Sequence, residues 1–91
     1  MIKIKRTIIV EGNYDKIKLS SIVDGHIIAT DGFRIFKDKE MKNLISLLAK
    51  KQGIIILTDS DRAGFLIRNH IKSFVPEGEI INVYIPDVKG K

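Results

Sequence analysis

Three carboxylates stand where two apolar runs end. Ile8-Ile9-Val10 passes directly into Glu11-Gly12, and Ile54-Ile55-Ile56-Leu57 passes into Thr58-Asp59-Ser60-Asp61. Branched apolar runs of this length read as parallel strands buried on both faces. Ligands of open parallel sheets bind at the carboxyl ends of such strands. Residues two apart in an extended segment point to the same side, so Asp59 and Asp61 can present both carboxylates together. With Glu11 approaching from an adjacent strand, the negative groups repel one another and favour a proton or a cation between them. An all-oxygen set suits Mg²⁺, with Mn²⁺ as the alternative, because Mg²⁺ needs few protein ligands and keeps waters that a phosphate can replace. Phosphate chemistry is therefore the first expectation.

Neighbouring residues narrow the choice. The chain has no cysteine, which removes disulfides and thiolate metal sites. Neither His26 nor His70 lies in the acidic segments, which argues against zinc, and both read as incidental. The run Asp59-Ser60-Asp61-Arg62-Ala63-Gly64 opens like an EF-hand loop. That loop needs an acid or amide where Ala63 stands and a bidentate glutamate where His70 stands, so the likeness fails. Taken singly, each acid also has a simpler role. Asp61, ahead of a helical apolar pattern, could serve only as an N-cap, and the others as solvated loop residues.

The elements that must position these groups alternate in type. Strands are expected at Arg6 to Val10, His26 to Ala29, from Gly53 onward and at Glu79 to Ile85. Helices are expected at Asn13 to Val23, with Ile17, Ile22 and Val23 as its apolar positions, and at about Asp38 to Lys51 and Asp61 to Phe74. The second would carry Met41, Leu44, Ile45, Leu47 and Leu48 on one face, and the third Leu66, Ile67, Ile71 and Phe74. Phe33-Arg34-Ile35-Phe36 reads as an apolar and basic loop, with at least one phenylalanine buried. A β-α-β-α-β-α-β order implies a parallel sheet wrapped by helices through right-handed crossovers. Placing the first and third strands side by side gives the order 2-1-3-4 and sets Glu11 and Asp59 on one rim.

Ninety-one residues allow one domain, 1–91, at the small end of what one core can hold. Apolar residues make up 44% of the chain and 18 residues are isoleucine, enough for a β-branched sheet core. Basic residues near the amino end are followed by no long apolar stretch, so no signal peptide or membrane span is expected and the cytoplasm is the expected location. Sixteen basic against eleven acidic residues give a net charge of +5, compatible with a polyanionic partner but not proof of one. Arg34, Arg62 and the lysines at 37, 39, 42, 50 and 51 could form a phosphate footprint or a solvated helix face.

These residues together resemble the Toprim domain, shared by topoisomerases, bacterial primases, OLD-type nucleases, recombination-repair proteins and a ribonuclease that matures 5S ribosomal RNA. The likeness runs from about Arg6 to Pro86 and is nearest to that ribonuclease and its short stand-alone relatives. It is carried by Val10-Glu11-Gly12 with Asp15, by Thr30-x-Gly32, and by Ile55-Ile56-Leu57-Thr58-Asp59-x-Asp61-x-Ala63-Gly64 with Ile67-Arg68. The resemblance implies a Rossmann-like three-layer α/β/α fold around a four-stranded parallel sheet. It implies Glu11 as general acid or base or as a metal ligand, and Asp59 and Asp61 as Mg²⁺ ligands. Asp15 and Gly32 would line the rim, and Arg34, Arg62 and Arg68 would meet nucleic acid.

Three positions depart from the ribonuclease pattern: Asn13 replaces a lysine, Ser60 a proline and Phe65 a glutamate. The chain stops at Lys91, just past the last strand, whereas that ribonuclease has a further domain for its RNA. Tyr14 and Tyr84 match no topoisomerase nucleophile. Two functions remain open. One is a Mg²⁺-dependent phosphodiesterase acting on RNA or DNA; the other is a nucleic-acid-binding module that needs a second protein for cleavage.

Overall fold

The computed structural model describes residues 1–85; Pro86, where the resemblance ends, and the residues after it lie outside the described residues. The elements are β1 (Ile2–Lys3), β2 (Thr7–Val10), α1 (Asn13–Ser20), β3 (Val23–Asp24), β4 (Ile27–Ala29), a 3-10 helix (Gly32–Phe36), α2 (Lys39–Lys51), β5 (Ile54–Asp59), α3 (Arg62–Phe74) and β6 (Ile80–Ile85). The main sheet is parallel throughout, in the order β4-β2-β5-β6. This is the 2-1-3-4 order expected from the sequence. Pairing of Val10 with Leu57 places Glu11 one residue, and Asp59 two residues, beyond the same rung of the ladder.

Two apolar layers hold the sheet. On one face Ile9, Ile54 and Ile56 pack with Ile35, Ile45, Ala49, Ile67 and Ile71 from the 3-10 helix, α2 and α3. On the other, Ile8, Val10, Val23 and Ile27 form a smaller cluster closed by Leu19 of α1. Each fully buried isoleucine contributes roughly 1.5–3 kcal/mol through burial. The faces are unequal because α1 is short and buries none of its residues completely.

Several local expectations are corrected. Helix α1 ends at Ser20 rather than Val23, because the Ser20 and Ser21 hydroxyls donate to the Ile17 and Lys18 carbonyls at 2.7 Å and draw the backbone out of the helical pattern. Val23-Asp24 then pairs in parallel with Ile2-Lys3, giving a two-stranded ribbon that the basic amino end did not foretell. Ile17 and Ile22 are exposed, and Leu19 packs in their place. In α2, Leu44 and Leu47 are exposed while Ile45 and Ala49 are buried. In α3, Leu66 is exposed, and the buried stripe is Gly64, Ile67, Arg68 and Ile71. The segment from Phe33 to Phe36 is not a loop but part of the 3-10 helix, with Ile35 fully buried and Phe36 packed on the core. Among the described residues no helix is long and apolar enough to cross a membrane.

Candidate active site at the carboxyl rim of the sheet

Glu11 follows β2 directly, and its backbone is held by a loop 19 residues further on. Thr30 Oγ1 donates to the Glu11 carbonyl at 3.1 Å, and the Gly32 amide donates to the same oxygen at 3.1 Å. Asp31 (φ 59°) and Gly32 (φ 65°) both adopt the left-handed conformation, which bends the chain back towards Glu11. A left-handed residue is routine only for glycine and tolerated by aspartate. Gly32 was expected to line the rim for nucleic acid; its observed contact is with the main chain of Glu11. The sequence marks Thr30 and Gly32 as a motif but not their hold on the Glu11 carbonyl, nor the left-handed Asp31 between them.

Asp59 is the last residue of β5, and Asp61 is the N-cap of α3. Asp61 Oδ1 accepts from the Gly64 amide at 2.7 Å, so the capping role is real and leaves the other oxygen uncommitted. Gly64 is packed so closely that a Cβ there would strike the Asp59 carbonyl and sit 2.7 Å from Thr58 Oγ1. This contact lets the first turn of α3 press against the strand end. Ser60, in place of proline, ties the same turn down by donating to the Ile85 carbonyl at 3.0 Å. Asp15 caps the start of α1 by accepting from the Gly12 amide at 3.2 Å.

The electrostatics agree with the crowding of these acids. The Glu11 carboxyl titrates above its ordinary value of 4.5, first because of burial and then because of Asp61, Asp59 and Asp15. Its Oε1 is buried and has no hydrogen-bond partner. Among the described residues none of the four carboxylates takes part in an ion pair. Nor do any three acidic or imidazole groups lie close enough to enclose one ion. An oxygen-only set with one orphaned buried oxygen is chemically suited to a hard divalent cation that takes part of its shell from water.

The arginines divide. Arg62 opens α3 beside Asp61 and is exposed. Arg34 lies in the 3-10 helix with Asp31 at 3.5 Å and Asp38 at 3.9 Å, both solvent-screened pairs. Arg68 is not on the rim surface. Its side chain is 5% exposed and runs beneath β5 and β6. Nε donates to Thr58 Oγ1 (3.0 Å), Nη1 to the Ile56 carbonyl (3.0 Å) and Asn82 Oδ1 (2.9 Å), and Nη2 to the Thr58 and Val83 carbonyls.

Comparison with known proteins bears out the family resemblance. The Toprim domain family pattern matches residues 6–88. Ribonuclease M5 of Fusobacterium nucleatum is 35% identical over 88 residues, covering 97% of this chain and 46% of that protein. Ribonuclease M5 of Borreliella burgdorferi is 41% identical over 81 residues, covering 89% and 44%. The chain thus spans about half the length of the curated relatives it matches. A small TOPRIM domain protein from Bacillus stearothermophilus has a similar structure, with a TM-score of 0.72 and 29% identity over 93% of this chain and 72% of that one.

Proposed function

The chain belongs to the Toprim domain family, and from that premise we propose that it hydrolyses phosphodiester bonds of nucleic acid with the help of Mg²⁺, as a nuclease related to ribonuclease M5. The observation that carries this reading is the orphaned, buried Oε1 of Glu11 among three further carboxylates that no described cation neutralises. One or two of Glu11, Asp59 and Asp61 would hold the cation, with waters and the substrate phosphate completing its shell. Bound there, Mg²⁺ would neutralise charge on the phosphate and lower the pKa of a water molecule. Glu11, whose carboxyl prefers its neutral form more than an ordinary glutamate, is suited to exchange a proton with the reacting oxygen. Thr30 and Gly32 fix its backbone, while Gly64 and Ser60 fix the turn that carries Asp59 and Asp61. Arg62, next to Asp61, and Arg34, two residues past Gly32, are exposed cations that would meet phosphates flanking the cut. The proposal extends to a cytoplasmic setting and an RNA substrate.

A second reading is favoured by one observation, the open arrangement of the acids. In it the chain binds cation and nucleic acid but cleaves only with a second protein. Labelled structured RNA, single-stranded DNA and duplex DNA, each incubated with Mg²⁺ or Mn²⁺, separate the two. Wild-type cleavage that falls by about a hundredfold or more in Asp59→Asn/Asp61→Asn supports the nuclease. Asparagine is itself a good N-cap, so the loss would not come from unfolding α3. Cation-dependent binding without cleavage, lost in the same variant, would establish the module instead.

A further inference from the structure

One helical turn below Asp61, between α3 and the β6 edge, lies a groove of about 380 Å³ whose chemistry is opposite to that of the rim. Phe65, Asn69 and Lys72 come from α3, and Asn82 and Tyr84 from β6, with Arg68 beneath. None of its lining residues is acidic. Phe65 and Tyr84 are 45% and 47% exposed, and their rings lie 5.9 Å apart at 51°. With Ile80 beside them, these two exposed rings form an aromatic platform in a groove that otherwise carries amides and cations.

Three observations choose the ligand. First, the Arg68 guanidinium carbon sits 3.8 Å from the Tyr84 ring centroid, and among the described residues no carboxylate neutralises it. A cation on one face of the ring withdraws electron density and favours stacking of an electron-rich base on the other. Second, Asn82 Oδ1 accepts from Arg68, which leaves its amide hydrogens as donors towards the groove, and Lys72 is exposed beside them. Third, the groove adjoins the acidic rim. The Phe65 amide donates to the Asp61 carbonyl at 3.0 Å, and Tyr84 is paired with Thr58, the neighbour of Asp59.

We propose that this groove binds an unpaired nucleobase of a single-stranded nucleic acid, stacked on Phe65 and Tyr84, with Lys72 at the adjoining phosphate. The choice of a nucleic acid rests on the proposed function. Within a duplex both faces of a base are already stacked, so the groove selects single-stranded or frayed segments next to the rim. Successive bases stack on aromatic platforms of this kind in a sequence-tolerant way. A peptide segment would meet Lys72 only if it brought an acid and the Phe65–Tyr84 pair only if it brought an aromatic ring, whereas every nucleotide brings both a phosphate and a base.

The test is a fluorescence titration of the 91-residue chain, in EDTA, with short RNA and DNA strands carrying 2-aminopurine, each alone and annealed to its complement. Stacking quenches the probe. The expected result is quenching by the single strands, with duplexes bound about tenfold more weakly. Phe65→Leu should remove the quenching and weaken single-strand binding about tenfold, and Phe65→Tyr should restore both. A stronger response to RNA or to DNA would identify the sugar, and either supports the groove. Equal affinity for strand and duplex, or unchanged binding by Phe65→Leu, would overturn it. So would a change of molar mass in light scattering on Phe65→Leu with nucleic-acid binding intact, which would mark a contact between copies. Because EDTA removes any cation, the titration reads stacking with cleavage switched off. Loss of cleavage and loss of stacking are therefore separate failures.

Discussion

Glu11 and Arg68 are both charged, both drawn into the protein and both close to the carboxyl end of β5, yet they are treated in opposite ways. Arg68 is surrounded by acceptors: a hydroxyl, an amide oxygen and three backbone carbonyls take up its fork. Glu11 is surrounded by other acids, and one of its oxygens meets nothing. Burying a charged group is tolerable only when its hydrogen-bonding capacity is met. Arg68 meets that condition within the fold, so its role is to join α3 to β5 and β6. Glu11 does not, and under the proposed function its missing partner is the cation. On that reading a charge near a strand end does not mark the site; the lack of a partner among like charges does.

Replacing Arg68 tests the satisfied half of that comparison and should have the largest effect on stability. Arg68→Met keeps much of the stem's packing but leaves the Thr58 hydroxyl and the Ile56 and Val83 carbonyls without their donor. A loss of about 2–4 kcal/mol is expected in urea unfolding, since buried groups stripped of a charged partner lose more than an average hydrogen bond. Arg68→Lys should recover only part of it, because an ammonium cannot reach several divergent acceptors at once. A neutral result for Arg68→Met would mean that the guanidinium is held for a ligand rather than for the fold.

Glu11 tests the unsatisfied half, with a smaller effect of opposite sign. Its carboxyl titrates above 4.5 in the folded chain, so folding favours the protonated form. The stability this gives is fully present below pH 4.5 and is lost as pH rises through the raised folded value. Without a cation, Glu11→Gln should therefore melt higher than wild type near neutrality and no higher at pH 4. Mg²⁺ at about ten times its dissociation constant would add about 1.4 kcal/mol to wild type, or about 7 °C for a chain of this size. The variant should gain much less. Equal Mg²⁺ gains in the two proteins would remove Glu11 from the ligand set.

The sequence made one side of this comparison legible and hid the other. Alternating β-branched runs and amphipathic stretches defined the four main strands, their order and two of the three helices, because burial on both faces leaves a continuous apolar signature. Glu11, Asp59 and Asp61 were visible because acids directly after such runs have no place in a core. Arg68 was read as reaching for phosphate, although it is four residues after Gly64 and three before Ile71 and so lies on the buried stripe of α3. Residue type outweighed position in that reading. The β1–β3 ribbon was illegible for another reason: two residues on each side pair through backbone groups, which leave no side-chain pattern. The short α1 failed similarly, since its end is set by two serine hydroxyls rather than by a loss of apolar spacing.

His70 lies between the two extremes and gives the smallest expected effect. Its ring stands edge-on to Phe36 at 4.4 Å and to Phe74 at 5.5 Å, and its Nε2 is buried without a hydrogen-bond partner. Burial first, then Lys42, hold its pKa below 6.5, against a hydrogen bond to the Ile35 main chain that acts the other way. Folding thus favours the neutral ring: its contribution is fully present above pH 6.5 and is lost as pH falls through the depressed folded value. This sign is opposite to that of Glu11, so the two groups bend the stability curve from opposite sides, one from 4.5 upward and the other from 6.5 downward. The two are separable by substitution. In a Glu11→Gln background the melting temperature should still fall on acidification from pH 7 to 5, and adding His70→Phe should flatten that fall by a degree or two, on the order of a few tenths of a kcal/mol. If the slope is unchanged, the orphaned Nε2 is already satisfied by solvent, and an unpartnered buried atom would mark a functional group only where, as at Glu11, like charges surround it.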